Sequence, residues 1–81
     1  MSIEERIKKV LLENALKDID PKEIRNSSQL IEFGVGLDSV ATLELVVALE
    51  EEFQIRIDES DISAETFQTI NSMALHITEK L

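Results

Sequence analysis

The chain has 81 residues, 43% of them hydrophobic, no cysteine, tryptophan or tyrosine, and a net charge of −9. That is enough chain for one domain, 1–81, with a small aliphatic core, and the lack of cysteine excludes disulfides, thiolate metal sites and cysteine nucleophiles. The acidity excludes attraction to nucleic acid or to an anionic membrane surface.

Residues 1–20 are charged throughout and contain no signal-peptide run. No stretch nears the roughly 20 apolar residues of a membrane span. The expectation is a soluble, cytoplasmic monomer. Ser2-Ile3-Glu4-Glu5 reads as a capping box opening a first helix over about 3–17. Ile3, Ile7, Val10, Leu11 and Ala15 follow at helical spacing. Pro21 biases Asp20 toward extended geometry and ends that helix. A long connection to about residue 37 follows, pinned to the core by Ile19, Ile24, Leu30, Ile31 and Phe33, with Asn26-Ser27-Ser28-Gln29 able to cap one helical turn.

The second helix spans about 39–53 and holds no Gly or Pro. Leu43, Leu45, Val46, Leu49 and Phe53 sweep a wide apolar arc, with Val40 and Val47 at its edge and Glu44, Glu51 and Glu52 opposite. So wide an arc predicts a central helix packed by more than one neighbour. Gln54-Ile55-Arg56-Ile57 reads as an extended link, and a short helix is expected near 59–63. The last helix begins between Thr66 and Thr69 and carries Phe67, Ile70, Met73, Ala74, Ile77 and Leu81. The fold class is all-α: a small bundle of three main helices and one short one, with a long first loop.

Charge is uneven along the chain. Residues 1–37 hold seven acids and six bases, whereas 38–61 hold eight acids and one base, Arg56. Enzymatic readings fare badly against this inventory. A serine nucleophile needs a neighbouring base, and the one histidine, His76, lies off the apolar stripe and reads as a solvated surface residue. One His and no Cys cannot build a zinc site. From Asp58 the calcium-loop spacing fails for want of a glycine at the sixth position. No metal is expected, and the chain is not expected to be an enzyme.

The two glycines, Gly34 and Gly36, both stand just ahead of Asp38-Ser39. The plain reading is that Asp38 or Ser39 caps the second helix. That reading is compatible with a second one, because a helix N-terminus favours an anion. With glycines leaving room, Ser39 is suited to accept a phosphate group if something else supplies the base.

The stretch "LDSVATLELVVALEEEF", 37–53, resembles the prosthetic-group site and second helix of acyl carrier proteins. Asp38-Ser39-Val40 stand at that family's Asp-Ser-Leu, and Glu50-Glu51-Glu52-Phe53 at its Glu-rich end. The element order and acidity match over the whole chain. The resemblance implies that Ser39 carries 4′-phosphopantetheine, installed by a separate phosphopantetheinyl transferase, and that the arm's thiol holds acyl groups as thioesters. It implies that Asp38, Val40, Glu44, Val47, Glu50 and Glu51 meet partner enzymes such as acyltransferases and ketosynthases of fatty-acid, polyketide or related biosynthesis. Leu45, Leu49, Ile57, Ile62 and Phe67 are then candidates to line an acyl pocket. Val40 replaces the usual Leu, Ala41 stands where an acid is common, and Val47 where Met is common; "FGVGLDS" is also longer than the usual approach. These departures point to a dedicated carrier for a specialised pathway. The alternative is an unmodified acidic helical adaptor for a basic protein partner.

Overall fold

The computed structural model describes residues 1–35 and 39–81, with residue 39 described by its backbone. Helix α1 is Ile3–Asn14, α2 is Ser39–Phe53 and α3 is Ile70–Lys80. Three single 3-10 turns, Pro21–Glu23, Leu30–Phe33 and Glu59–Asp61, punctuate the connections. Among the described residues there is no strand, and the 54–57 link is irregular, as its lack of a pairing partner implies.

Helix α1 opens on the expected capping box. The Ser2 hydroxyl accepts from the Glu5 N–H at 3.1 Å, and Glu5 accepts from the Ser2 N–H at 3.3 Å. These bonds from Ser2 hold the Glu5 carboxyl below the ordinary carboxylate range. The helix stops three residues short of the predicted 17. Asn14 turns its side-chain amide back onto the Val10 carbonyl at 2.9 Å, the local competition that makes Asn a poor helix continuer. The Leu16 N–H then bonds the Leu11 carbonyl, and the bend folds Leu16 into the core.

The long connection is pinned where expected by Ile24 and Leu30, both fully buried, and more loosely by Ile19 and Phe33. Ile31, predicted as another pin, is 59% exposed. In the Leu30–Phe33 turn consecutive side chains diverge by about 120°, so Leu30 faces inward and Ile31 outward. Asp20 caps the first 3-10 turn by accepting from the Lys22 N–H, and Ser28 accepts from the Arg25 N–H. Gly34 ends the second turn at φ +91°, a left-handed conformation that favours glycine. Its part is therefore to close that turn and return the chain inward through buried Val35. Gly36 lies outside the described residues.

Helix α2 buries Leu45, Val46, Leu49 and Phe53 in the core and packs chiefly against α1, which is also the helix that α3 packs on, so α1 rather than α2 is the helix with two helical neighbours. Leu43, placed on the buried arc by sequence, is 54% exposed. At 100° per residue it falls with Val40 and Val47, away from the four core positions. The helix ends with Gln54 in the left-handed region (φ 53°) and the Ile55 N–H on the Glu50 carbonyl, the geometry of a Schellman stop. Arg6 of α1 reaches across to this end. Its Nε bonds the Glu52 carboxylate at 2.9 Å and another guanidinium nitrogen bonds the Glu52 backbone carbonyl at 2.7 Å. Its guanidinium lies 4.3 Å from the Phe53 ring centre. Helix α2 has no basic residue in its own last turn, so α1 supplies the cation that the negative helix end favours. The Arg6 bond holds the Glu52 carboxyl below its ordinary range.

Helix α3 starts at Ile70, one residue later than the latest predicted start. Thr69 accepts from the Ser72 N–H and Ser72 accepts from the Thr69 N–H, both at 3.0 Å. Phe67 therefore precedes the helix, in a turn, yet is buried. Ile70, Met73, Ala74 and Ile77 face the core, whereas Leu81 is exposed beyond the last turn. His76 also differs from expectation. Its side chain is only 23% exposed and lies 3.5 Å from Asp61, because the 59–61 turn folds down onto α3.

Candidate functional site

The first turn of α2 is the meeting point of the predicted site. Ser39 is its first helical residue, while Asp38 and the Ser39 side chain lie outside the described residues. Positions 42 and 43 follow at i+3 and i+4, so they share the face of position 39, about one 5.4 Å turn further along. Thr42 and Leu43 form one wall of a groove of about 880 Å³. Ile31 and Val35 supply the loop side, and Ile62 and Phe67 the floor and far side. Gln29, Gln68, Ser63, Ala64, Glu59 and Glu65 complete the lining.

The far wall, residues 58–68, has no α-helix and is tied down by polar bonds at three places. The Ile57 N–H bonds the Glu50 carboxylate at 2.8 Å. The Leu30 N–H bonds the Gln68 carbonyl at 2.9 Å, and the two glutamine side chains, Gln29 and Gln68, bond each other at 3.2 Å. Asp61 receives the Lys80 ammonium at 2.9 Å with His76 beside it. Lys80 is the main cause that holds the Asp61 carboxyl below its ordinary range, and Asp61 raises the Lys80 ammonium in return.

This pairing sets a pH dependence. A carboxyl depressed by folding adds stability above its unfolded pKa, about 3.9, and loses it as pH falls through the lower folded value. Asp61→Asn should therefore flatten the acid limb of stability below about pH 4, measured as melting temperature against pH. A limb as steep as that of the wild type would contradict the assignment.

The predicted residues separate into distinct roles. Val40, 64% exposed, and Val47, 52% exposed, form a stripe with Leu43, and exposed Glu44 and Glu51 flank it. Glu50 belongs elsewhere: it is half-buried and its carboxylate is engaged by the Ile57 N–H. Truncating it leaves that N–H unmet. Glu50→Ala should cost about 1–2 kcal/mol in denaturant unfolding, against near zero for Glu51→Ala.

The five pocket candidates also divide. Ile62 and Phe67 line the groove. Leu49, Ile57 and, from its other side, Phe67 line a separate inner void of about 10 Å³. Leu45 is core, 1% exposed, and lines neither space. Sequence reasoning missed Ile31, Val35, Thr42 and Leu43. The last two had a usable signal in their i+3 and i+4 spacing from Ser39; the loop residues had none, since the path of the chain places them.

Comparison with known proteins agrees with this geometry. The family described as "Phosphopantetheine attachment site" matches residues 6–77. The acyl carrier protein of Buchnera aphidicola subsp. Acyrthosiphon pisum (strain Tuc7) is 43% identical over 79 residues, covering 98% of this chain and 92% of its own. That of Caulobacter vibrioides is 40% identical over 76 residues, covering 94% and 91%. The solution structure of a holo acyl carrier protein from Nitrosomonas europaea superposes with a TM-score of 0.82 at 32% identity, covering 98% of this chain and 95% of that one. A carrier protein from Agrobacterium tumefaciens, solved with an engineered Bradyrhizobium japonicum glycine:[carrier protein] ligase and ATP, shares the fold at a TM-score of 0.77 and 19% identity, over 95% and 97%. No helix among the described residues is long and apolar enough to cross a membrane. The start of α2, the groove one turn away and the family match over residues 6–77 together place this chain in the acyl carrier protein family, whose prosthetic group is 4′-phosphopantetheine.

Proposed function

We propose that Ser39 is the residue that carries 4′-phosphopantetheine. The observation that carries this reading is positional: Ser39 opens α2, and an open apolar groove of about 880 Å³ begins one helical turn along the same face. A phosphodiester there sits where the helix N-terminus favours an anion. The arm supplies a thiol, which holds the acyl load as a thioester. The chain is then a carrier and not a catalyst.

The stripe Val40, Leu43 and Val47, with Glu44, Glu51 and Asp38, is the surface offered to partner enzymes. These include the phosphopantetheinyl transferase, acyltransferases and ketosynthases with basic patches, working in fatty-acid, polyketide or related biosynthesis in the cytoplasm. Charged contacts of this kind set encounter rate and orientation more than affinity. Val40, Ala41 and Val47, which depart from the family's common residues, support a dedicated pathway over the general one. Of the pocket candidates, Ile62 and Phe67 are the ones placed to touch cargo in the groove.

The test is intact mass after incubation with coenzyme A, Mg²⁺ and a broad-specificity transferase, followed by peptide mapping. The expected result is one phosphopantetheine per chain on the peptide containing residue 39. No mass gain would overturn the reading and leave the acidic face as an adaptor surface for a basic partner.

A further inference from the structure

We infer that the groove beside position 39 is a charge filter for cargo: it shelters acyl groups with neutral or cationic chains and turns away those ending in a carboxylate. This rests on the reading that Ser39 bears the arm, and adds the chemical class of load that the arm can lay down.

The groove lining is mainly apolar, with Ile31, Leu43, Ile62 and Phe67 on its different sides, and suits hydrocarbon. Its ionic groups are all of one sign. Glu59 and Glu65 stand in the far wall, both exposed, and among the described residues no lysine, arginine or histidine lines the groove. The sole base of residues 38–61, Arg56, is absent from the lining. Within the far wall, Asp61 holds the Lys80 ammonium at 2.9 Å.

A hydrocarbon chain entering the groove gains by leaving water. A chain ending in a carboxylate must bring that charge toward two like charges, with no counter-ion among the described lining residues. At separations of about 6–8 Å and effective dielectric constants between 20 and 80, the repulsion from each carboxylate lowers occupancy of the groove by about two- to a hundredfold, with the exposure of both glutamates favouring the low end. An ammonium-ended chain is attracted instead. The filter therefore acts on the far end of the load and is indifferent to the thioester.

The experiment loads the full chain from three coenzyme A thioesters of equal length: octanoyl, its analogue with a terminal carboxylate and its analogue with a terminal amine. Two readings follow, the rate of thioester cleavage by hydroxylamine and the methyl chemical shifts of Ile31, Leu43 and Ile62. Octanoyl and amino loads should be cleaved about three- to tenfold more slowly than the carboxylated one and should shift those methyls. Glu59→Gln with Glu65→Gln should bring the carboxylated load to octanoyl-like protection, and high salt should narrow the wild-type gap. Equal cleavage of all three loads on the wild type, or no change in the double variant, overturns the filter. Absence of any load in the mass spectrum overturns the Ser39 reading itself, and so separates the two failures.

Discussion

Ser39→Ala should yield a folded chain that gains no mass from coenzyme A and the transferase. The backbone at 39 is already helical, and alanine has the lowest helix cost of any residue. If the serine hydroxyl also serves as a cap, its removal costs about 1 kcal/mol, a few degrees of melting temperature for a domain of this size. Loss of modification with the melt nearly intact thus isolates chemistry from fold. The other serines sharpen the control. The hydroxyls of Ser2, Ser28, Ser63 and Ser72 are engaged in caps and turns, whereas Ser27 and Ser60 are exposed residues without such bonds described here. Modification that survives in Ser39→Ala would move the arm to one of these serines and refute the assignment.

Part of this architecture was legible because it is local. Ser2 with Glu5 marks the start of α1 through one capping box, and the absence of Gly and Pro between 39 and 53 marks α2. Its broad apolar arc suggested a central helix, but α1 is the one that packs against both others, and the extra breadth of the α2 arc lies on the exposed Val40–Leu43–Val47 stripe. The same breadth hid which side is solvent. When apolar residues cover more than half the circumference, periodicity cannot tell Leu43 from Leu45, and only the neighbours' positions leave one in a groove and the other in the core. Glu50 and His76 were misread for a related cause. Each looks like surface on its own helix, but an irregular segment, 55–57 over Glu50 and 59–61 over His76, folds back to cover it. Phe67 sat at the right spacing for α3 but falls before its cap, because Thr69 and Ser72 satisfy each other's N–H groups and start the helix there. The proposal for Ser39 starts from the Asp-Ser pair in the sequence; the groove was not legible there, since loop and turn residues far apart in sequence enclose it.

Reversing Glu44 and Glu51 to lysine together should slow transfer of the arm by about ten- to a hundredfold at low salt while leaving the fold intact. Both residues are exposed beside the Val40–Leu43–Val47 stripe. Neither carboxylate has a described structural bond, in contrast to Glu50 and Glu52. Lysine is a good helix former, and at 51, near the negative end of α2, it interacts favourably with the helix dipole. Each reversal adds two charges, taking the chain from −9 to −5, which lessens self-repulsion. The melting temperature should therefore hold or rise. A partner with a basic patch gains its encounter rate from this face, by factors of about 10–10³, and loses it when the sign is inverted. The defect should shrink as ionic strength is raised and the Debye length falls from about 10 Å toward 3 Å. Glu13→Lys with Glu23→Lys, equally exposed but outside α2, makes the same change in net charge. If that pair slows transfer as much, total charge governs the encounter and the α2 face has no special part in it. A full-sized effect from the α2 pair alone assigns recognition to the helix that begins at Ser39.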